Sequence, residues 1–224
     1  MQKSLTKNSI YNIIYTIANI LFPFATSIYV SRILLPAGVG KVASAQNIVS
    51  YFVTLAALGL PSYGVREFAK VREKKHERNK LFTELLLVNI ISTTLAVVGF
   101  IGLVVANEGF SGQWALYVAC GLSIVFNYLN IDWMYQGLEE YGYITGRSLL
   151  IKGLSLLALF LFVKTREDYV IYALISSLAT GGNYVFNVLN ARKYVALDFS
   201  RIELKRHMKP VLLIACIILL SSIY

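Results

Sequence analysis

The sequence has few charged residues for its length of 224. Only 15% of its residues are Asp, Glu, Lys or Arg, against about 25% in average soluble domains. A large core does not explain the shortage, because a soluble domain must still cover its surface with polar groups. With 57% hydrophobic residues, the composition predicts an integral membrane protein rather than a soluble one.

Cysteine and histidine are also scarce, with two of each. Cys120 and Cys216 fall inside apolar runs, where a small buried cysteine is common. Their spacing matches neither a disulfide framework nor a metal site. His76 and His207 lie in basic loops, which disfavours a ligating or catalytic role. We therefore expect no metal, no cofactor and no enzymatic activity.

Long apolar stretches are abundant instead. A transmembrane helix needs about 20 mostly apolar residues, and six stretches qualify. They cover residues 9–31, 42–63, 81–106, 114–138, 148–164 and 169–190, and a seventh begins at Val211. The sequence therefore predicts an all-α membrane protein with one six-helix bundle over residues 1–190. A basic cytoplasmic linker over residues 191–210 and the start of a seventh helix over residues 211–224 are expected to follow.

Lysine and arginine are distributed unevenly among the connections. With the N-terminus in the cytoplasm, 17 of the 21 Lys and Arg residues lie on the cytoplasmic side, and the positive-inside rule favours this orientation. Attraction to anionic lipid head groups then accounts for the net charge of +9 without nucleic acid. The basic loop over residues 64–80 can form a short interfacial helix. It is interpreted as a topology determinant, with a lipid-phosphate site as the alternative.

Four of the predicted helices carry polar side chains along one face, as judged at 100° per residue. The cavity candidates on these faces are Asn12, Tyr15, Asn19, Asn47, Tyr51, Asp132, Asn183 and Asn187. Hydrogen bonding between helices would need only one or two such residues per interface. Stripes along most of a helix favour a water-filled path for a polar solute, and helix–helix bonding remains the alternative.

Asp132 is an unusual acid within the fourth apolar stretch. We expect it to share a helix face with Tyr128, Tyr135 and Glu139, about 9 Å from the cytoplasmic end. A charge at the bilayer centre costs about 2.5–3.5 kcal/mol, and less at this depth. Two roles stay open: a hydrogen-bond acceptor at the end of the bundle, and a direct contact with a substrate or coupling ion.

Three segments taken together resemble a known family. They are SRILLPAGVGKVASA, LGLPSYGVREFAK and the stretch over residues 128–153. The positions that carry the pattern are Arg32, Pro36 and Gly40; Gly64, Arg66 and Glu67; and Asp132, Trp133, Gly137, Glu139 and Lys152. The sequence resembles the polysaccharide-transport family of O-antigen and capsule flippases, within the superfamily that includes the multidrug and toxin extrusion antiporters. Leu35 departs from the pattern, since the family usually has a glycine before this proline.

The resemblance implies two six-helix bundles that face each other across a central cavity. This sequence would supply the N-terminal bundle, so a second bundle is an expected partner beside membrane lipids. A truncated reading frame, a fragment and one part of a split transporter all fit this length. The implied function is translocation of a polyprenyl-diphosphate-linked oligosaccharide across the cytoplasmic membrane. Asparagine and tyrosine suit sugar hydroxyls, and Arg32, Arg147 and Lys152 suit the diphosphate, with interfacial snorkelling as their alternative role.

Three alternatives to a flippase remain open. An ion-coupled antiporter for small cationic drugs would use Asp132 as an ion or proton site, although such a cavity favours acids and aromatics over asparagine and arginine. A membrane enzyme such as a glycosyltransferase would need a sizeable outer loop, and residues 107–112 and 165–168 are too short for one. The third is a non-functional truncated product.

Overall fold

The computed structural model describes residues 5–200 and 202–223, and within them it is helical without any β-strand. This confirms the all-helical prediction. The helices are α1 (Leu5–Ala57), α2 (Leu60–Val71), α3 (Lys75–Ala106), α4 (Trp114–Phe126), α5 (Asp132–Gly137), α6 (Tyr141–Phe162), α7 (Tyr169–Ala191) and α8 (Lys205–Ile223). Two short 3₁₀ turns, Glu108–Gln113 and Asn127–Leu129, flank α4.

Three tracts of the described chain are long and apolar enough to cross a membrane by length and composition. They are Ser9–Val71, Lys75–Ala106 and Tyr141–Phe162, and a shorter apolar tract covers Trp114–Leu129. Helix α7 has sufficient length and no charged residue, but its asparagine, serine and glycine residues lower its hydropathy. The expected number of six crossings therefore stays a prediction.

Helix α1 is two helical limbs joined at a sharp kink. Leu35 has φ 57° and ψ 173°, which separates a limb over residues 5–34 from one over residues 36–57. Pro36 opens the second limb, where its missing N–H costs no helical hydrogen bond. The first two apolar stretches, over residues 9–31 and 42–63, are therefore joined through a one-residue kink. Leu35 takes a backbone conformation that glycine adopts far more readily.

The fourth apolar stretch, expected to be one helix, is broken over residues 127–131. Asn89 on α3 supports the break, because its Nδ2 donates to the carbonyl oxygens of Asn127 at 2.7 Å and Tyr128 at 3.4 Å. Asn127 Nδ2 in turn donates to Asn89 Oδ1 at 3.0 Å and to Thr93 Oγ1 at 2.9 Å. Non-helical backbone within an apolar region is tolerated where protein groups satisfy it in this way.

The break redirects the side chains that were expected to share a face with Asp132. The Tyr128 hydroxyl lies 2.9 Å from Thr94 Oγ1 on α3, whereas Tyr135 points to α7. Glu139 pairs with Arg72 at 2.6 Å. The prediction of a single polar face on this stretch is therefore wrong.

Helices α2 and α5 cross at two glycines. A Cβ at Gly64 would lie 2.9 Å from the Trp133 ring, and one at Gly137 would lie 2.6 Å from Phe68 Cβ. The Phe68 and Trp133 rings meet edge to face with centroids 5.4 Å apart. Gly64, Trp133 and Gly137, which come from two separate motifs of the sequence, thus form one close contact.

The connections gather at two ends of the molecule. Residues 72–74, 138–140, 192–200 and 202–204 lie at what we call the basic end. Arg72 pairs there with Glu139, and Lys80 pairs with Glu203 at 3.2 Å.

At the opposite end, the Tyr29 hydroxyl donates to the Val163 carbonyl at 2.8 Å. The backbone N–H groups of Lys164 and Thr165 donate to Asp168, lower the pKa of that carboxyl, and fix the start of α7.

Candidate polar site

A cluster of polar side chains from three helices meets beside the broken fourth stretch. Asp132 begins α5 directly after the break, Arg147 lies on α6, and Asn183 and Asn187 lie one turn apart on α7. We call these four residues the Asp132 cluster. The cluster therefore connects α5, α6 and α7 at one point.

Arg147 is the centre of this cluster, and only 4% of its side chain is exposed. Its Nη1 donates to Asp132 Oδ1 at 3.1 Å, to the Asn183 carbonyl at 3.1 Å, and to Asn187 Oδ1. The Tyr143 ring lies 5.9 Å from the guanidinium, within cation–π range. Arg147 Nε and Asn183 Oδ1 are buried and have no hydrogen-bond partner among the described residues. The charge of Arg147 is therefore neutralised by Asp132, while some of its bonding capacity remains unused.

Asp132 differs from its partners because 29% of its side chain is exposed. Arg147 Nη1 and Asn187 Nδ2 both donate to Oδ1, and no hydrogen bond reaches Oδ2 within the described chain. Tyr135 supports the arrangement by donating its hydroxyl to the Asn187 carbonyl at 2.6 Å. The cluster thus presents one free carboxylate oxygen at a partly open position.

A second polar contact joins α1 to α6. Lys152 Nζ donates to Asn19 Oδ1 and lies 6.0 Å from the Tyr15 ring centre and 5.9 Å from that of Phe22. No carboxylate of the described chain lies within ion-pair distance of Lys152. A groove of about 240 Å³ opens beside it between α1, α6 and α7. The polar residues lining this groove are Thr26, Lys152, Ser155 and Ser176, together with the Tyr172 hydroxyl.

The remaining candidates from the sequence lie outside both groups. Asn12, Asn47 and Tyr51 are exposed on α1, and Arg32 is exposed just before the kink. Tyr15 is half-buried near Lys152. The structure therefore brings Asp132, Arg147, Asn183 and Asn187 together, places Tyr15, Asn19 and Lys152 beside one another, and leaves the other four apart.

Sequence reasoning missed a carboxylate that is buried more deeply than that of Asp132. Glu84 on α3 is fully buried, and its Oε2 lies 2.9 Å from His207 Nε2 and also accepts from Arg206. The backbone N–H of Glu203 donates to Glu84 Oε1 at 2.8 Å, and Tyr63 Oη lies 2.8 Å from His207 Nδ1. We call these five residues the Glu84 cluster. An acid four residues into an apolar stretch was the available signal.

Known proteins resemble the chain over much of its length. Two proteins named "Putative O-antigen transporter" match it. The one from Escherichia coli (strain K12) is 23% identical over 176 residues, which cover 79% of this chain and 42% of that protein. The one from Shigella dysenteriae is 27% identical over 157 residues, which cover 68% of this chain and 38% of that protein.

The chain thus spans about two fifths of the length of the curated relatives it matches. No solved structure shows significant similarity to it. A family model described as "Polysaccharide biosynthesis protein" matches residues 5–224, nearly the whole chain. The chain belongs to this polysaccharide biosynthesis protein family.

Proposed function

We propose that the chain forms the N-terminal six-helix bundle of a flippase. Its family and its apolar helices make it a multi-pass membrane protein. The proposed substrate is a polyprenyl-diphosphate-linked oligosaccharide that moves across the cytoplasmic membrane for cell-surface polysaccharide synthesis. The names of both relatives support transport of this class of molecule. The concentration of basic residues at one end supports a cytoplasmic N-terminus.

The observation that carries the proposal is the setting of Lys152. It is a cation within an apolar helix, without a carboxylate partner in the described chain, at the edge of a groove with hydroxyl groups. An ammonium in an apolar segment is costly unless polar groups or a ligand stabilise it. A diphosphate supplies the missing negative charge. Arg147 contributes differently, because Asp132 already neutralises it.

The exposed amides of α1 complete the proposed path. Asn12, Asn19, Asn47 and the Tyr51 hydroxyl all offer hydrogen bonds at exposed positions. Facing lipid, these groups would remain unsatisfied, so a second helical bundle is the proposed partner across a polar cavity. Sugar hydroxyls passing through the cavity would find donors and acceptors on this face.

One observation favours a second candidate function. The free Oδ2 of Asp132 and its partial exposure suit a proton or small cation as the coupling ion of an antiporter. A cationic drug would be repelled by Lys152, whereas an anionic lipid-linked sugar would be attracted. The positive charge of Lys152 therefore favours the flippase over the antiporter.

Reconstituted vesicles provide the test. Fluorescent polyprenyl-diphosphate-linked oligosaccharide is placed in the outer leaflet, and its transfer is measured as protection from a membrane-impermeant quencher. This chain, joined to the remaining part of the E. coli relative as the second bundle, is compared with the intact relative as a positive reference and with protein-free vesicles. Lys152→Gln should slow transfer about tenfold, as expected for the loss of one charged contact, whereas Lys164→Gln at the opposite end should not. Transfer by neither protein above the protein-free rate would reject the proposal.

A further inference from the structure

A non-helical segment at the basic end, residues 192–200 and 202–204, runs along the first turns of α3. We call it the strap. Three of its backbone N–H groups donate to α3 side chains: Ala196 to Asn79 at 3.1 Å, Asp198 to Thr83 at 2.8 Å, and Glu203 to Glu84 at 2.8 Å. These bonds fix the strap along a length of α3 of about 7.5 Å.

Beneath the strap, the sequence of α3 changes from basic to apolar. Lys75 to Lys80 read KHERNK, and the next residues read LFTELLLV. Such a change from basic to apolar sequence marks the boundary between head groups and hydrocarbon. The strap is therefore held at the depth of the lipid head groups.

The strap presents apolar side chains outward at this depth. Leu197 is 57% exposed, Phe199 is 62% exposed and Ile202 is 37% exposed. In the described chain these side chains belong to none of the buried apolar clusters. Large apolar side chains left open next to one another indicate a binding surface.

The charges around these side chains are unequal. The acids of the strap each have a basic neighbour. Glu203 pairs with Lys80 at 3.2 Å, and Asp198 lies 3.2 Å from His76 Nδ1, which forms an ion pair only when the imidazole is protonated. Among residues 192–200 and 202–209, the cations without a carboxylate within 4.0 Å in the described chain are Arg192, Lys193, Lys205 and Lys209, whereas Arg206 pairs with Glu84. The surface therefore combines open apolar side chains with uncompensated positive charge, which is the combination that anionic lipid attracts.

We propose that the strap is an interfacial anchor, in which Leu197 and Phe199 insert among the lipids of an anionic leaflet and the four unpaired cations contact the head groups. The anchor holds the segment between α7 and α8 at a fixed depth. It is independent of the transported substrate, so its test does not depend on transport.

Site-directed spin labels measure this insertion directly. The full 224-residue chain carries Cys216→Ser, which leaves the buried Cys120 unlabelled, and single changes Leu197→Cys or Phe199→Cys. In vesicles containing phosphatidylglycerol, both labels should collide severalfold more with oxygen than with a water-soluble nickel complex. A label at Glu73→Cys, exposed on the nearby α2–α3 turn, should show the reverse preference.

Two outcomes would overturn the proposal. Strong nickel accessibility at Phe199→Cys would mean that the strap lies in water. Protection from both reagents would mean that protein, such as a second copy or a further bundle, covers this face.

The charge requirement has its own matched control. Arg192→Gln with Lys193→Gln should raise nickel accessibility at position 199 severalfold in phosphatidylglycerol vesicles and much less in phosphatidylcholine vesicles. Lys164→Gln with Arg166→Gln removes the same charge at the opposite end and should leave the label unchanged. Equal effects of the two pairs would contradict a specific role for the strap cations.

Discussion

Two carboxylates of this chain each tie several elements together, but their surroundings differ. Glu84 is fully buried, and both of its oxygens accept hydrogen bonds, from the backbone at Glu203 and from the side chains that flank it. Asp132 is 29% exposed, and both of its side-chain bonds fall on Oδ1. Both carboxylate oxygens of Glu84 thus have hydrogen-bond partners, whereas Oδ2 of Asp132 has none in the described chain.

We propose that this difference separates a stabilising role, for Glu84, from a functional one, for Asp132. A buried charge persists only where paired groups compensate its desolvation, and the Glu84 cluster uses this pairing to hold α8 and the strap against α3. In the Asp132 cluster, the free oxygen and the unsatisfied Arg147 Nε and Asn183 Oδ1 leave capacity that no structural contact uses. Of these groups the Asp132 carboxylate is the exposed one, and we propose that it is available to a transported ligand or coupling ion.

The largest loss of unfolding free energy is expected when the Glu84 cluster is broken. Glu84→Ala leaves Arg206, His207 and the Glu203 N–H without their acceptor, and it should lower the free energy of unfolding by about 3–5 kcal/mol. Unfolding by SDS in mixed micelles measures the change. Glu203→Ala, which removes an exposed partner of Lys80, should cost no more than about 1 kcal/mol. Small losses of similar size in the two variants would contradict the stabilising role of the buried Glu84 carboxylate.

A smaller loss is expected in the open cluster. Asp132→Asn keeps an oxygen that accepts from Arg147 and Asn187, so the charge is lost but the contact survives. The free energy of unfolding should fall by about 1.5–3 kcal/mol, measured in the same micelles. Adding Arg147→Gln should recover part of this loss, because the uncompensated cation is then gone. Glu139→Gln at the exposed Arg72 pair provides the control. A loss as large as that in Glu84→Ala would place Asp132 among the saturated, structural groups.

The smallest effects are expected for Tyr63 and Tyr135, whose hydroxyl groups contact His207 and the Asn187 carbonyl. Tyr63→Phe removes the hydroxyl beside His207, and Tyr135→Phe removes the donor to the Asn187 carbonyl. Each should cost about 0.5–1.5 kcal/mol of unfolding free energy. Only Tyr135→Phe should also alter transfer of the lipid-linked sugar, since it loosens Asn187. A change in transfer with Tyr63→Phe alone would reverse the assignment of roles.

Much of the helical layout could be predicted from hydropathy, because a run of apolar residues specifies a helix without reference to its partners. The stretches over residues 81–106 and 169–190 correspond closely to α3 and α7. The break at residues 127–131 could not be predicted, because it depends on Asn89 from another helix satisfying the exposed carbonyl groups. The kink at Leu35 is likewise a property of the backbone that a leucine does not indicate.

For the polar groups too, positions within one helix could be predicted but contacts between helices could not. A helical wheel brings residues of one helix to one face, and Asn183 and Asn187 do lie one turn apart on α7. The pairing of Asp132 with Arg147 joins two helices across a turn and has no periodicity to reveal it. The Glu84 cluster connects residues more than 120 positions apart. Contacts of this kind become visible only when the helices are packed.

The account is tested most directly by measuring transfer and stability in the same two variants, Asp132→Asn and Glu84→Gln, at equal amounts of folded protein in vesicles. We expect Asp132→Asn to lower the rate of transfer about tenfold, as the loss of a charged contact predicts. We expect each folded molecule of Glu84→Gln to transfer at nearly the unaltered rate despite a lower free energy of unfolding. Unaltered transfer by Asp132→Asn, together with loss of transfer by folded Glu84→Gln, would contradict the account.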